Sequence, residues 1–565
     1  MDARDRRRGE EEHRMSKKRR KEIQSEGNAP GEGLRRAEWG IAIAVCLLAV
    51  LFHIGFLTQA GALWRDEVNT AEFARMASVH EIYSFLKYDG FPPLVALLVR
   101  GWATAGGSSD DLGLRVFGFA VGLAFLGALW LACRSLRSPT PLFSLALIGL
   151  NPVAVRAVDS IRPYGLGMVL IVATMALVWR AIESPSAKGF VGAGILAVLS
   201  VQCMYQNAFL LVGICAAGAV VSLRRADLKT AGAVVLVGAV AALSLLPYRA
   251  TIAAAQSWNV VIQSPTSAMQ LLSILIQAVS PGGPATAVPW LVLAIVCGRA
   301  VARSLRPRSS PGQNAASQGV ALFSGAVVVA STAAFLAALA STKLQTQPWY
   351  YVPLLAILAP ALDAGAWAAA TTHAWKIARL VLAAAIAAAM AVPGWAHVTE
   401  RRTNADIVAS LVGTEASAQD LIVVNPWYYG VSFRRYYKGT ADWTTLPPLE
   451  DLRIHRYDLL KAAMARSNPI DPVLEKVTAT LKSGHRLWLI GVFPDPRDVE
   501  EPAVLPPAPH ASSGWYCAPY IITWGRQISY LLKSHVLRAE VLPTGAGRPV
   551  NPYENLAVVV VSGWR

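Results

Sequence analysis

Charge is scarce in this chain. Asp, Glu, Lys and Arg make up 16% of its 565 residues, against roughly 25% in soluble domains. Hydrophobic residues make up 54% and the mean hydropathy is +0.40. A water-soluble globule of this size is excluded, because it would lack the polar surface to stay dissolved. Cysteine is also thin. The six lie at 46, 133, 203, 215, 297 and 517, mostly in or beside apolar runs, where cysteine acts as a small buried hydrophobe. No CxxC or Cys/His metal spacing occurs, and Cys517 alone in the C-terminal region gives that region no internal disulfide. A cleavable signal peptide is not expected. The first apolar run starts late, is too long and lacks a small-residue cleavage site.

What is abundant is long apolar sequence. Runs of about twenty residues, the length that spans a ~30 Å hydrocarbon core, fall at 38–58, 112–132, 140–156, 163–180, 188–204, 207–222, 230–247, 285–302, 317–340, 348–369 and 377–395. The spacing predicts a mainly α, polytopic membrane helix bundle of about eleven spans over 38–395. Residues 265–280 are apolar enough to lie on the membrane or dip into it. From 396 to 565 the composition is that of a soluble protein. Buried strands are expected at 420–426, 487–491 and 556–561, helices at 403–412 and 472–481, and a loop at Pro-rich 502–509. That alternation reads as a small α/β domain.

The formal net charge is +16, and Lys17-Lys18-Arg19-Arg20-Lys21 is the sharpest basic run. Nucleic acid is not the expected partner, because basic tails beside spans orient membrane proteins and meet anionic lipid. Residues 1–37 read as a disordered cytoplasmic tail. With that tail inside, the other inner loops hold Arg134 and Arg137; Arg180 and Lys188; Arg224, Arg225 and Lys229; Arg299, Arg303, Arg306 and Arg308; and Lys376 and Arg379. Residues 59–111, 157–162, 249–284, 341–347 and everything after 396 then lie outside. The setting expected is a bacterial inner membrane. The first outer loop, 59–111, is too long for a mere connection. Ala71 to Leu86 and Leu94 to Trp102 read as two amphipathic helices along the surface.

The sharpest chemical cluster opens that loop: Trp64-Arg65-Asp66-Glu67-Val68-Asn69-Thr70. The paired carboxylates are either a solvated helix end or a base with its support, taking a proton from an acceptor hydroxyl. Asp89 follows in Asp89-Gly90-Phe91-Pro92-Pro93, and Asp159 in Val158-Asp159-Ser160-Ile161-Arg162-Pro163-Tyr164. All fall on one side of the membrane, the condition for lining one site. Arg162 alone reads equally as an anchor near lipid headgroups.

These motifs resemble the membrane glycosyltransferases with a GT-C fold that use polyprenyl-phosphate sugars, in the protein mannosyltransferase, aminoarabinose-transferase and Rgt-like group. The resemblance covers about 38–395. It rests on Asp66-Glu67, on Asp89 to Leu98 with Arg115, and on Arg162-Pro163-Tyr164-Gly165-Leu166. It implies an inverting transferase that moves a sugar from a polyprenyl-phosphate donor to a glycan, lipid or protein acceptor. Asp66 would be the base and Glu67 its support. Arg162 and Tyr164 would meet the donor phosphate, and Asp159 or Asp89 would support the site or share a divalent cation. The cofactor itself stays unknown. The chain departs from the pattern at Phe91 (often His), at Ser160 (often Glu) and at Trp349-Tyr350-Tyr351 (an Arg-Tyr pair). Lys343, Gln345 and Gln347 stand as substitutes for donor contact. Trp349 to Tyr351 form either an interfacial aromatic belt or a sugar platform.

Arg249, Gln256, Trp258 and Asn259 suit either sugar or an interface. So does the patch Trp427-Tyr428-Tyr429 with Arg434-Arg435-Tyr436-Tyr437. Two other readings remain. A flippase or transporter needs mid-span charges and broken helices in symmetric halves, which are scarce here. A non-catalytic envelope-glycan assembly partner would need the C-terminal domain but not Asp66.

Overall fold

Apolar runs coil into helices here because hydrocarbon offers no water to satisfy loose backbone N–H and C=O groups. The computed structural model describes residues 30–264, 267–305, 315–370 and 372–565. Most of the expected basic tail lies outside the described residues, as do Arg306 and Arg308. The chain begins with α1 (Pro30–Gln59), α2 (Arg65–Arg75), α3 (Val79–Phe85), α4 (Leu94–Thr104) and α5 (Asp111–Ser135). After a bent segment come α6 (Pro152–Asp159) and α7 (Pro163–Glu183), then helices that continue to His373–Val398.

Among the described residues, nine helices are long and apolar enough to cross a membrane, or ten if the bent pair Leu142–Gly149 and Pro152–Asp159 is one span. The chain is thus a multi-pass membrane protein with slightly fewer spans than the eleven expected. Helix Ala187–Cys203 has 17 residues, about 26 Å at 1.5 Å per residue, short of a ~30 Å core. The bent pair turns through 77°. Pro152 opens its second half, and Asn151 caps it by accepting from Val153 N (2.9 Å) and Ala154 N (3.2 Å). The single helix expected over Ala71–Leu86 breaks in two. Met76 leaves helical geometry, and Ser78 starts α3 by accepting from Glu81 N at 3.1 Å.

Ion pairs sort the loops to two ends. Glu183 bridges Arg137 and Arg225, each at 2.6 Å, and Arg379 meets Glu38 at 3.5 Å. These basic loops therefore share one end, as the charge pattern requires. The opposite end carries a five-stranded mixed sheet of β1 (Leu421–Asn425), β2 (Asp442–Thr445), β3 (Leu487–Gly491), β4 (Val536–Leu542) and β5 (Ala557–Trp564), in the order β2-β1-β3-β5-β4. β1 runs parallel to both β2 and β3, in register Val423 with Thr444 and Leu489, while β5 is antiparallel to β3 and β4. β1 is wholly buried, which is why its continuous apolar run was legible. β2 and β4 were not expected, because one is four mixed residues and the other a mostly exposed edge.

This C-terminal unit is bonded onto the bundle. Arg435 and the Tyr436 hydroxyl donate to Asp111 at 2.8 and 2.6 Å, His455 N donates to the Asn69 side chain at 2.8 Å, and Arg402 N donates to Ala60 O at 2.8 Å. The patch around Arg435 and Tyr436 thus serves docking. Trp258 does too: it stacks on Tyr457 at 5.3 Å, and its indole N–H donates to Lys87 O at 2.6 Å.

Candidate active site

The two adjacent acids of α2 end in different places. Glu67 is fully buried. It accepts Trp64 N at 3.3 Å, closing the first helical turn, and it is clasped by both Nη atoms of Arg115. Asp66, one residue earlier on the same turn, points the other way and stays half-exposed. Among the described residues its carboxylate makes no hydrogen bond and no ion pair within 4 Å. Its lone pairs are therefore available.

Arg162 faces it. The residue before Pro163 is held extended (φ −102°, ψ 159°), so its side chain clears α7 and reaches back over α2. Nη1 donates to Asp66 O at 3.2 Å and Thr70 Oγ1 at 3.1 Å, and the guanidinium lies 4.7 Å over the Phe91 ring. Asp66 and Arg162 line a cavity of about 120 Å³ with Arg156, Arg402, Trp64 and Tyr164. Arg156 is ion-paired to Glu400. Arg402 is not paired. It lies 4.4 Å over the Trp64 ring, its Nε is buried without a partner, and its guanidinium has no ion pair among the described residues. Arg162 and the unpaired Arg402 therefore share the pocket with one carboxylate, leaving it positive.

A larger cavity of about 510 Å³ begins at the same carboxylate and runs between the bundle and the sheet. Asp66, Trp349 and Tyr553 belong to both. Arg65 closes its floor, with its N–H donating to Glu554 at 2.8 Å and its guanidinium 4.8 Å over Tyr428. Close by, His455 presents a buried Nε2 with no partner.

Surroundings separate the titrations. Burial alone would raise Asp66, but Arg162 and then Arg65 outweigh it and hold the carboxyl below its ordinary value. Asp89 moves the other way: burial lifts it, only partly countered by Arg162, and Asp66 adds to the rise. Burial, with Arg65 and Arg162 nearby, pushes His455 down to about 4 against the pull of Asp66, so its imidazole is neutral at pH 7. Burial takes Arg402 down to about 10, where it stays charged. Burial lifts Glu554 to about 7 against the pull of Arg65.

Three residues singled out in the sequence stand apart from this pocket. Asp159 is 1% exposed and bonds His53 Nδ1 at 2.7 and 2.9 Å. The bend before α6 tucks it inward, where Gly118 and Gly122 of α5 leave the room that a Cβ would fill. It does not share a site with Asp66, contrary to the expectation that all the acids line one wall. Lys343 stays exposed, its carbonyl accepting from Ser264 N at 3.1 Å, and it lines neither cavity. Asp89 borders a separate cavity of about 440 Å³ with Gln256 and Asn259, though it feels the charge of Arg162. Among the described residues no group of three or more His, Cys, Asp or Glu is gathered as metal ligands. The nearest neighbours of Asp66 are cations, a poor fit for a divalent ion.

No family model matches the chain, and no curated protein matches it in sequence. Solved structures do match in shape. ArnT from Cupriavidus metallidurans bound to undecaprenyl phosphate aligns over 92% of this chain and 97% of its own, with a TM-score of 0.52 at 14% identity. The chain shares that fold. It is the GT-C-like helix bundle that the motifs implied, with the C-terminal α/β unit expected from its strand and helix pattern. The apo form of the same ArnT (TM-score 0.48, 13% identity, 82% of this chain and 93% of that one) and the Archaeoglobus fulgidus oligosaccharyltransferase complex with Zn and sulfate (0.45, 11%, 80% and 67%) also match.

Within this GT-C-like fold, Asp66 and Arg162 were legible from motif order. Arg402, His455, Glu554 and Tyr553 were not, since all four reach the site only when the C-terminal unit docks. Arg401-Arg402 just past the last apolar run was the one available signal. Chemically, an ionised carboxylate with vacant lone pairs suits proton abstraction. Planar, permanently charged guanidiniums suit a phosphate.

Proposed function

We propose that this chain is an inverting glycosyltransferase that moves a sugar from a polyprenyl-phosphate donor to a hydroxyl of a glycan, lipid or protein acceptor. One observation carries the reading: an unpaired, ionised Asp66 shares a pocket with Arg162 and the unpaired Arg402. The acceptor oxygen attacks the anomeric carbon as its proton passes to Asp66. The bond from that carbon to the phosphate oxygen breaks, and the phosphate departs with the electron pair toward Arg162 and Arg402. Attack opposite the leaving group inverts the anomer. Fixed cations aimed at that developing charge lower the barrier because they need no reorganisation. Glu67 acts at one remove, holding α2 through Arg115. Tyr164 closes the pocket side, stacked on Tyr350 at 6.2 Å. Val153 and Ala157 give the pocket an apolar wall, suited to the first units of a prenyl chain.

The positively charged loops support a cytoplasmic N-terminus, with the site and the C-terminal unit on the extracytoplasmic side, and the proposed setting is a bacterial inner membrane. The test is mass spectrometry of envelope glycans and lipid-linked sugars from cells with and without the protein. One undelivered polyprenyl-phosphate sugar is expected to accumulate in its absence. Identical glycoconjugates in both would overturn the reading.

A further inference from the structure

The 510 Å³ cavity is unlike the phosphate pocket it adjoins. Its volume falls within the ~300–1,000 Å³ of small-molecule sites, and its only charged lining residues are Arg65 and Asp66, both on the floor. The walls combine six aromatic rings, Trp349 and Tyr350 from the bundle and Tyr428, Tyr457, Tyr516 and Tyr553 from the C-terminal unit, with aliphatic side chains such as Leu344 and Ile521. Three amides, Gln345, Gln347 and Asn425, line it as well. Tyr516 and Tyr553 hydroxyls donate to the side-chain oxygens of Gln345 and Gln347 at 3.4 and 3.0 Å, which leaves each amide its two N–H donors and a second oxygen lone pair. Asn425 donates to Val492 O at 2.6 Å, while its Oδ1 is buried with no partner.

The sheet places this cavity where open α/β sheets hold ligands. β1 is paired in parallel with β2 on one side and β3 on the other; the chain leaving β1 goes to β2, whereas the chain leaving β3 goes to β4 on the far side, so the two connections diverge. The crevice lies past the carboxyl ends of the two strands where that divergence occurs. Asn425 ends β1 and Val492 follows β3, and both line the cavity.

We propose that this cavity is the acceptor subsite and that it takes a neutral carbohydrate, whose hydroxyl reaches Asp66. Aromatic faces cover the C–H faces of sugar rings, and amide groups meet hydroxyls. A phosphorylated or anionic acceptor gains little where the sole cation, Arg65, is already held by Glu554 and the ring of Tyr428. The inference rests on the transferase reading and narrows its acceptor from three classes to one. Balance is kept: the sugar hydroxyl loses its proton to Asp66, one C–O bond forms at the donor's anomeric carbon, and the bond to phosphate breaks.

The test is saturation-transfer NMR on the full chain in lipid nanodiscs, without donor. The probes are neutral trisaccharides of glucose, mannose and galactose, a serine-containing peptide and inorganic phosphate. At least one trisaccharide is expected to show saturation at its ring protons. That signal should drop at least about fivefold in Tyr516→Ala and in Gln345→Ala, which sit at the exposed rim, with melting unchanged. If no trisaccharide binds, if the rim variants leave the signal unchanged, or if only the peptide or phosphate responds to them, the assignment is overturned. Cavity-dependent trisaccharide binding in a protein that transfers no sugar from any polyprenyl-phosphate donor would keep the carbohydrate site and sink the transferase reading instead.

Discussion

Two layers of charge lie against each other at the end of the bundle that carries the C-terminal unit. In the inner layer Glu67 is clasped by Arg115 and Asp159 by His53, each group at most 3% exposed. In the outer layer Asp66 and Arg402 have no ion partner among the described residues, and His455 Nε2 is unbonded. Burying charge is costly unless it is paired, and the inner layer obeys that rule. The outer layer breaks it at Arg402, buried without an ion partner among the described residues beside the half-exposed, unpaired Asp66. Local burial without pairing is tolerable where a ligand brings the missing partners, a phosphate for the guanidiniums and a hydroxyl proton for the carboxylate. On the proposed reading, two adjacent acids of the same helical turn divide into one that does chemistry and one that holds structure.

The largest effects come from exchanging the two roles. Asp66→Asn should cut sugar transfer by ~10²–10⁴-fold, the usual worth of a general base, with thermal stability within error of the parent. Glu67→Gln should do the reverse, costing about 3–5 kcal/mol of stability by stranding a buried Arg115, read as lost yield and a lower melting temperature. Matching behaviour of the two variants would erase the distinction between the layers. Next comes Arg162→Lys, which keeps the charge and loses the planar fork. Donor KM should rise about tenfold or more, the worth of ~1.5–3 kcal/mol for a charged hydrogen bond, and steady-state kinetics at saturating acceptor would show it.

The pH dependence is smaller and has opposed parts. His455 titrates near 4 when folded against 6.5 ordinarily, so the unfolded chain gains a proton first and stability falls as pH drops from 6.5 toward 4. Glu554 titrates near 7 against 4.5, so the folded chain keeps a proton that the unfolded one has lost, and stability falls as pH rises from 4.5 to 7. Each is worth roughly 3 kcal/mol at most, and between 4.5 and 6.5 they offset. Glu554→Gln should expose the histidine limb, so the melting temperature at pH 5 should fall below that at pH 7 more steeply than in the parent. Equal slopes in variant and parent would show that Glu554 does not keep its proton, and a level slope in the variant would show that His455 is not held neutral. The smallest effect is at Lys343, where Lys343→Ala should change transfer and stability by no more than ~0.5 kcal/mol.

Much of the bundle was legible because span length and loop charge are properties of contiguous sequence. Asp66 and Arg162 were readable for the same reason: each sits at the mouth of an apolar run, on a side fixed by the basic loops. Asp159 satisfied that logic and still went elsewhere. A 77° bend and the two small residues Gly118 and Gly122 turned it toward His53, and neither packing fact shows in residue type. Arg402, His455 and Glu554 lie far along the chain from the α2 residues they face. Their importance comes from burial on docking, which a residue-by-residue reading has no means to register. The polar edge strand β4 lacked any apolar period to give it away.

The central claim is that the outer layer is a lipid-phosphate pocket. Native mass spectrometry of the purified protein with added undecaprenyl phosphate tests it without knowledge of the sugar. One bound lipid per chain is expected. Binding should be retained by Asp66→Asn and weakened at least about tenfold by Arg162→Ala combined with Arg402→Ala, at unchanged melting temperature. Undiminished binding by that folded double variant would contradict the account.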